Sequence, residues 1–177
     1  WMHNAFLNID NRKMSKSLGN FFTVREICEK YDPQVLRFFM LSAHYRSPLN
    51  FSAELMEASK NGLDRILTGM EKLRETEAKV SQDSLSLAEE ENKAKGEALA
   101  AKYEAAMEDD FNTADAISAV FELIKLANST VTEESSKAYV SWLKEELERL
   151  CEVLGIETEK KKEVLDAEIE RMIEERQ

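Results

Sequence analysis

Proline and glycine are scarce, two and five in 177 residues. So little chain punctuation, with 33% charged residues, argues against sandwiches and barrels and for long, solvated helices. Cysteine and histidine are equally rare: Cys28, Cys151, His3 and His44. No CxxC or HxxxH spacing exists among them, so no zinc site is recognisable and no metal ligand is assigned. Two isolated thiols on apolar helix faces read as reduced, buried, small hydrophobes, which points to a reducing cytoplasm. No apolar run approaches the ~20 residues of a membrane span, so a soluble chain with no membrane partner is expected. Nothing at the start reads as a secretory leader. "WMHNAFLNID" reads as the middle of an element, and helical periodicity is still running at Gln177, so a piece of a larger protein is expected.

What is present is a packed core's worth of hydrophobics, 43%, and a net charge of −11 that is unevenly spread. Residues 1–50 hold seven Lys/Arg against four Asp/Glu, whereas the remainder holds 17 against 31. This asymmetry suggests that a polyanion meets the first third and that the rest is a solvated scaffold. The plainer reading is compositional drift.

The pattern along the chain predicts a mainly α fold. "AFLNIDNRK" alternates weakly around a turn signal at Asp10-Asn11, predicting a short hairpin from about Phe6 to Met14. Gly19 and Asn20 are both suited to left-handed backbone and so form a hinge. Thr23 and Glu26 make a capping box, and Asp32-Pro33 starts a second helix, "QVLRFFMLSAHY", read as buried nearly all round with Arg37 as its odd polar member. After the break at Pro48, Ser52 caps a helix to about Lys79 with the stripe Leu55, Leu63, Ile66, Leu67, Met70 and Leu73. Residues 76–97 lose periodicity and read as a linker, with helix resuming near Lys93. Asn112 caps a helix whose face carries Ile117, Val120, Phe121 and Ile124. A further stripe, Val140, Leu143, Leu147, Leu150 and Leu154, stops at Gly155. A last stripe, Leu165, Ile169, Met172 and Ile173, predicts another helix over 164–177. The sum is a hairpin, a small helical module and an antiparallel helical bundle. Most of the methionines, Met2, Met14, Met40, Met56 and Met70, read as packing.

The candidate chemistry lies in "NRKMSKSLGN", Asn11 to Asn20, which has three basic residues and no acid. Lys13 and Lys16 are three apart, so a tight loop can aim both ammonium groups at one anion. Ser15 and Ser17 can donate to phosphate oxygens. A hinge lets such groups close after substrate enters and follow charge as it develops. Composition alone leaves open a solvated basic turn with no ligand.

The literal string goes further. "KMSKS", Lys13 to Ser17, matches the signature of class I aminoacyl-tRNA synthetases without substitution, and residues 1–52 resemble the cysteinyl-tRNA synthetase family at nearly every position. "AAMEDDFNTADAISAVFELIKLAN", Ala105 to Asn128, does so too. The resemblance implies that Lys13, Met14, Ser15, Lys16 and Ser17 bind ATP with its Mg2+, that Lys13 and Lys16 are catalytic, and that Lys16 contacts ATP most directly. It implies the end of a catalytic domain over 1–22, a stem-contact module over 23–52 and a DALR-type, tRNA-binding bundle over 53–177. It further implies cysteine and tRNA(Cys) as partners and a monomeric enzyme. The family's other ATP signature, His-x-Gly-His, and its zinc ligands have no match here, so the 177 residues alone are expected to be inactive.

Arg25, Lys30 and Arg46 are the candidate contacts to tRNA phosphates. For Arg37, a cap or pair within its own helix competes with that role, and "HYRSPLN" competes with it for Arg46 as a conformational device. "EDDFNT" resembles a carboxylate pair for a metal. The preferred reading is that Asp109 and Asp110 complement a helix N-terminus capped by Asn112. Two other hypotheses stand: a ligase joining cysteine to an amino sugar-inositol, and a non-catalytic helical interaction module. The tRNA-like basic module weighs against the first and the unbroken KMSKS string against the second.

Overall fold

A two-residue reversal sets the geometry of the first third. In the computed structural model, which describes residues 1–159, Asp10 and Asn11 both take left-handed backbone, with φ of 48° and 61°. That geometry matches the twist of a tight hairpin. It pairs β1 (Leu7–Ile9) antiparallel with β2 (Arg12–Lys13). The hairpin is as predicted, but it has a third member. β3 (Leu49–Phe51) lies parallel to β1, with Leu7 opposite Leu49 and Ile9 opposite Phe51. Asn50 then accepts the Asn11 N–H at 2.8 Å, so β3 also holds the reversal.

Caps define the helices. Thr23 Oγ1 accepts the Glu26 N–H at 3.3 Å while Glu26 takes the Thr23 N–H at 2.6 Å, starting α1 (Val24–Cys28). Asp32 caps α2 (Pro33–Leu41) and Ser52 caps the 27-residue α3 (Ala53–Lys79). α2 departs from the all-round burial predicted for it. Val35, Phe38 and Phe39 are buried, but Met40 is 47% exposed and Arg37 is exposed. The Arg37 guanidinium lies against Gly155, so close that a Cβ there would sit 2.6 Å from Nη1. On α3 the predicted stripe shifts by one residue at its start. Leu55 is exposed and Met56 is fully buried, because the face that meets α2 and the bundle runs through Met56, Leu63, Ile66, Met70 and Leu73.

α4 (Leu87–Glu108) begins six residues earlier than Lys93, at a capping box in which Ser86 Oγ accepts the Glu89 N–H. Glu89 does more than cap its own helix. Its other oxygen accepts the N–H of Ser136, the cap of α6 (Lys137–Val153), at 2.7 Å. Burial pushes this carboxyl up, but the hydrogen bonds from Ser86 and Ser136 outweigh it and hold it below the ordinary range. α5 (Thr113–Thr130), capped by Asn112, carries the predicted face, with Phe121 at its edge. The α6 stripe is buried throughout and ends at Gly155, φ 65°.

α3, α4, α5 and α6 pack around one core, and α2 joins it through Phe38 and Phe39. Each fully buried Leu of α6 contributes about 1.5–3 kcal/mol relative to exposure. Gly96 on α4 admits the Trp142 ring of α6, whose Cη2 would lie 2.6 Å from an added Cβ. Cys151 is buried as expected, and burial, then Glu148, pushes its thiol up to about 12; Cys28 is only half-buried. Met56 and Met70 are core, whereas Met2 and Met40 are exposed. The stripe Leu165 to Ile173 lies outside the described residues.

Candidate functional site

The hairpin delivers the loop. Met14 N–H donates to Leu7 O at 3.0 Å, extending the pairing one residue past β2. The chain then turns through a short 3-10 segment, Lys16–Leu18, that Ser15 caps by accepting the Leu18 N–H at 3.3 Å. Ser15 and Ser17 hydroxyls share a 2.9 Å hydrogen bond. Gly19 closes the segment at φ 67°, where a side chain would be strained, and its N–H donates to Lys16 O. Of the two residues read as the hinge, only Gly19 takes left-handed backbone. Asn20 acts through its side chain, accepting the Ser15 N–H at 2.9 Å and donating to Lys13 O at 3.2 Å.

The lysines themselves reach aromatic faces rather than acids. Lys13 Nζ lies 4.0 Å from the Phe6 ring centroid and Lys16 Nζ 5.3 Å from that of Phe21. Such contacts are worth about 0.5–1 kcal/mol at exposed sites, weak enough for a phosphate to displace. Among the described residues neither lysine has a carboxylate within ion-pair range. In a chain of net charge −11, these two ammonium groups, three residues apart and without a carboxylate partner among the described residues, are a local concentration of positive charge.

Aromatic contacts tie the loop's base to the bundle. Phe22, three residues past Gly19, packs on Phe51 with centroids 4.7 Å apart. Phe51 meets Phe39 edge-on at 5.7 Å, and Phe38 meets Phe121 of α5 at 6.2 Å. Each link is an edge or tilted contact, the favoured arrangement for rings.

The predicted basic contacts divide into two kinds. Arg25 on α1 and Lys30 just beyond it are exposed, with no ion pair among the described residues. Arg46 is also exposed but is engaged. Its Nε lies 2.9 Å from Asp110 Oδ2 and donates to Tyr45 Oη at 2.9 Å, while Tyr45 Oη donates to Asp110 Oδ1 at 2.7 Å. His44 stacks on Tyr45 at 4.8 Å, accepts the Arg46 N–H at Nδ1 and sits 3.7 Å from the same carboxylate. The hydrogen bond that Arg46 donates to Tyr45 and the charge of Asp110 raise the Arg46 pKa above its ordinary value. Asp110 reaches this knot because it and Phe111 take left-handed backbone, φ 57° and 54°, between α4 and α5. Asp110 thus faces Arg46 instead of serving α5, where Asn112 and Asp115 occupy the N-terminus.

Sequence reading alone missed Asn20, Phe6 and Phe21 as partners of the loop, and Asp110 as the anchor of "HYR". Among the described residues no group of three or more His, Cys, Asp and Glu is placed to hold a metal ion, and no helix is long and apolar enough to cross a membrane.

Residues 1–61 match a family described as tRNA synthetases class I (C) catalytic domain, and residues 102–159 match the DALR domain. A cysteine–tRNA ligase of Lachnospira eligens is 56% identical over 177 residues, which is 100% of this chain and 38% of that protein. Another, from Lachnoclostridium phytofermentans, is 54% identical over 182 residues, again 100% of this chain and 39% of the relative. The chain therefore spans under two-fifths of the length of these curated relatives.

Proposed function

The chain belongs to the cysteine–tRNA ligase family, and from that premise we propose that it supplies the phosphate-closing loop and the tRNA-facing helices of an ATP-dependent ligase. In the reaction, a cysteine carboxylate oxygen attacks the α-phosphorus of Mg2+-ATP. The bond to the bridging oxygen breaks and pyrophosphate leaves with the electron pair. A ribose hydroxyl of tRNA(Cys) then attacks the acyl carbon and AMP departs.

Lys16, with Lys13, neutralises the charge that grows on the departing phosphates, and Ser15 and Ser17 donate to phosphate oxygens. Met14, half-buried between them, orients the loop at the nucleotide. The observation that carries this reading is the pair of exposed lysines with no acidic partner among the described residues, held on a loop with a glycine hinge. Parked on rings, they are available to an arriving polyanion. Zinc, which would bind the cysteine thiolate, does not suit this donor set: Cys151 is fully buried and no ligand cluster forms among the described residues. No step above runs through it.

Arg25 and Lys30 meet tRNA backbone phosphates, giving affinity and register without sequence readout. Arg46 adds less, because Asp110 already offsets its charge. The test is Lys16→Ala in a ligase of the relatives' full length carrying this sequence, assayed by ATP–pyrophosphate exchange. Losing one charge-stabilising donor is worth about 10²–10³ in rate. A drop of that size with cysteine binding intact supports the assignment, and an unchanged exchange rate overturns it.

A further inference from the structure

We propose that Asn20 is a positioning residue for Lys13 and Lys16, its carboxamide serving as a one-residue strand that fixes the backbone between them. The proposal rests on the reading of those lysines as the ATP-closing pair.

β2 ends at Lys13, and on the side away from β1, to which Met14 N–H still donates, the loop has no strand beside it. Yet Lys13 O and Ser15 N–H, on either side of Met14, are both satisfied. Asn20 Nδ2 donates to the first at 3.2 Å and Asn20 Oδ1 accepts from the second at 2.9 Å. Donor and acceptor on one planar group reproduce the pair of bonds that a neighbouring strand would make. The contacts close a ring from Lys13 to Asn20, and the side chain that closes it is half-buried while both lysines are exposed.

This bracing has consequences for direction. Lys13 contributes the carbonyl that Asn20 holds, so its backbone is fixed at the start of the ring. Lys16 follows directly on Ser15, whose N–H is held by Asn20 and whose hydroxyl caps the 3-10 segment that begins at Lys16. Both ammonium groups therefore project from backbone that one carboxamide has set. Preorganised charge costs no reorganisation at the moment of reaction, which is where such positioning acts.

The chemistry makes the requirement narrow. Aspartate at this position keeps an acceptor but loses the donor, and sets a carboxylate oxygen against the Lys13 carbonyl. Alanine loses both. Unlike glycine at position 19, the role is not one of backbone freedom, since Asn20 lacks positive φ.

The experiment is a double-mutant cycle in the complete ligase carrying this sequence, with Asn20→Ala, Asn20→Asp, Lys16→Ala and Lys16→Ala/Asn20→Ala measured by ATP–pyrophosphate exchange. Asn20→Ala is expected to lower kcat about 10-fold and Asn20→Asp at least as much, with the KM for cysteine unchanged. In the Lys16→Ala background, Asn20→Ala is expected to have a smaller further effect, about 3-fold, because only the ammonium of Lys13 is left to position. A merely structural Asn20 gives the same fold loss in both backgrounds, and that additivity overturns the proposal, as does Asn20→Asp with wild-type kcat. A ligase in which Lys16→Ala leaves exchange unchanged defeats the ATP assignment itself. One in which Lys16→Ala collapses exchange while Asn20→Ala does not defeats only this inference. Far-UV circular dichroism melts accompany each variant, and a lowered Tm leaves the additivity comparison decisive.

Discussion

Replacing Gly96 with alanine sets two known effects against each other. In a helix interior, Gly→Ala adds about 1 kcal/mol of stability, since glycine loses the most backbone freedom on folding. Here the new methyl would lie 2.6 Å from Trp142 Cη2, 2.9 Å from Cζ3 and 3.3 Å from Leu123 Cδ1. Gly96 is buried, and Leu123 is at 0% exposure, so it cannot retreat. The Trp142 ring is rigid, so it must swing out by roughly 1 Å to restore van der Waals contact, separating α4 from α6. Overpacking of this kind costs about 1–3 kcal/mol. The net expectation for Gly96→Ala is a loss of about 1 kcal/mol, or roughly 2–4 °C in Tm for a domain of this size. Thermal melts by circular dichroism, with tryptophan emission to follow the ring, measure it. With Trp142→Ala already present the same substitution should cost less than in the parent chain, because only the 3.3 Å approach to Leu123 Cδ1 then opposes the propensity gain. Stabilisation by Gly96→Ala in the parent chain would refute the close approach of the two helices.

Further outcomes follow from other parts of the molecule. Glu77 is held below the ordinary carboxyl range by hydrogen bonds from Lys144 Nζ at 2.6 Å and Ser141 Oγ at 2.7 Å. Because its folded pKa is depressed, its contribution is fully present above about pH 4.5 and is lost as pH falls through the lower folded value. Melts across pH 6 to 3 should therefore fall less steeply for Glu77→Gln than for the parent; equal slopes would contradict the pairing. Tyr45→Phe should uncouple the knot at Asp110. A cycle with Asp110→Asn is expected to give a coupling of about 1 kcal/mol, at the lower end for hydrogen bonds to charge because both Asp110 and Arg46 meet solvent; additive effects would show that the contact carries nothing. Arg25→Ala and Lys30→Ala should each reduce the salt slope of tRNA binding by about 1, with Arg46→Ala having a smaller effect. Equal losses at all three would deny that Asp110 preoccupies Arg46. A thiol reagent should modify Cys28 in the native chain and Cys151 only on unfolding, since burial holds the latter thiol protonated.

Local signals proved legible where the physics is local. Thr23, Asp32, Ser52 and Asn112 cap the helices the sequence assigns them, and Gly155 ends α6. A cap needs only three or four adjacent residues, so its chemistry is written in one place. Periodicity places the start of α4 late because its first half, Leu87 to Glu97, has no apolar stripe; the Ser86–Glu89 box is the available signal. β3 has three residues and exists through its partner β1, more than forty positions earlier, so no local alternation announces it. The apolar neighbours of Arg37 suggest burial all round, but α2 packs on one face and Arg37 stays exposed, with its guanidinium against Gly155.

At the candidate site the string Lys13 to Ser17 was readable letter by letter, whereas its supports were not. In the sequence Asn20 reads as backbone freedom next to a glycine, and its carboxamide's reach back to Lys13 depends on the fold of the loop. The knot at Asp110 spans 65 positions to Tyr45, a separation at which a sequence offers only a common polarity.

The central claim is that the loop closes on the nucleotide. A structure of the complete ligase with ATP and a non-reactive cysteine analogue tests it most directly. The account predicts Lys16 Nζ lifted off Phe21 and about 3 Å from a triphosphate oxygen. A nucleotide fully seated with Lys16 still over the Phe21 ring, remote from every phosphate, would contradict it.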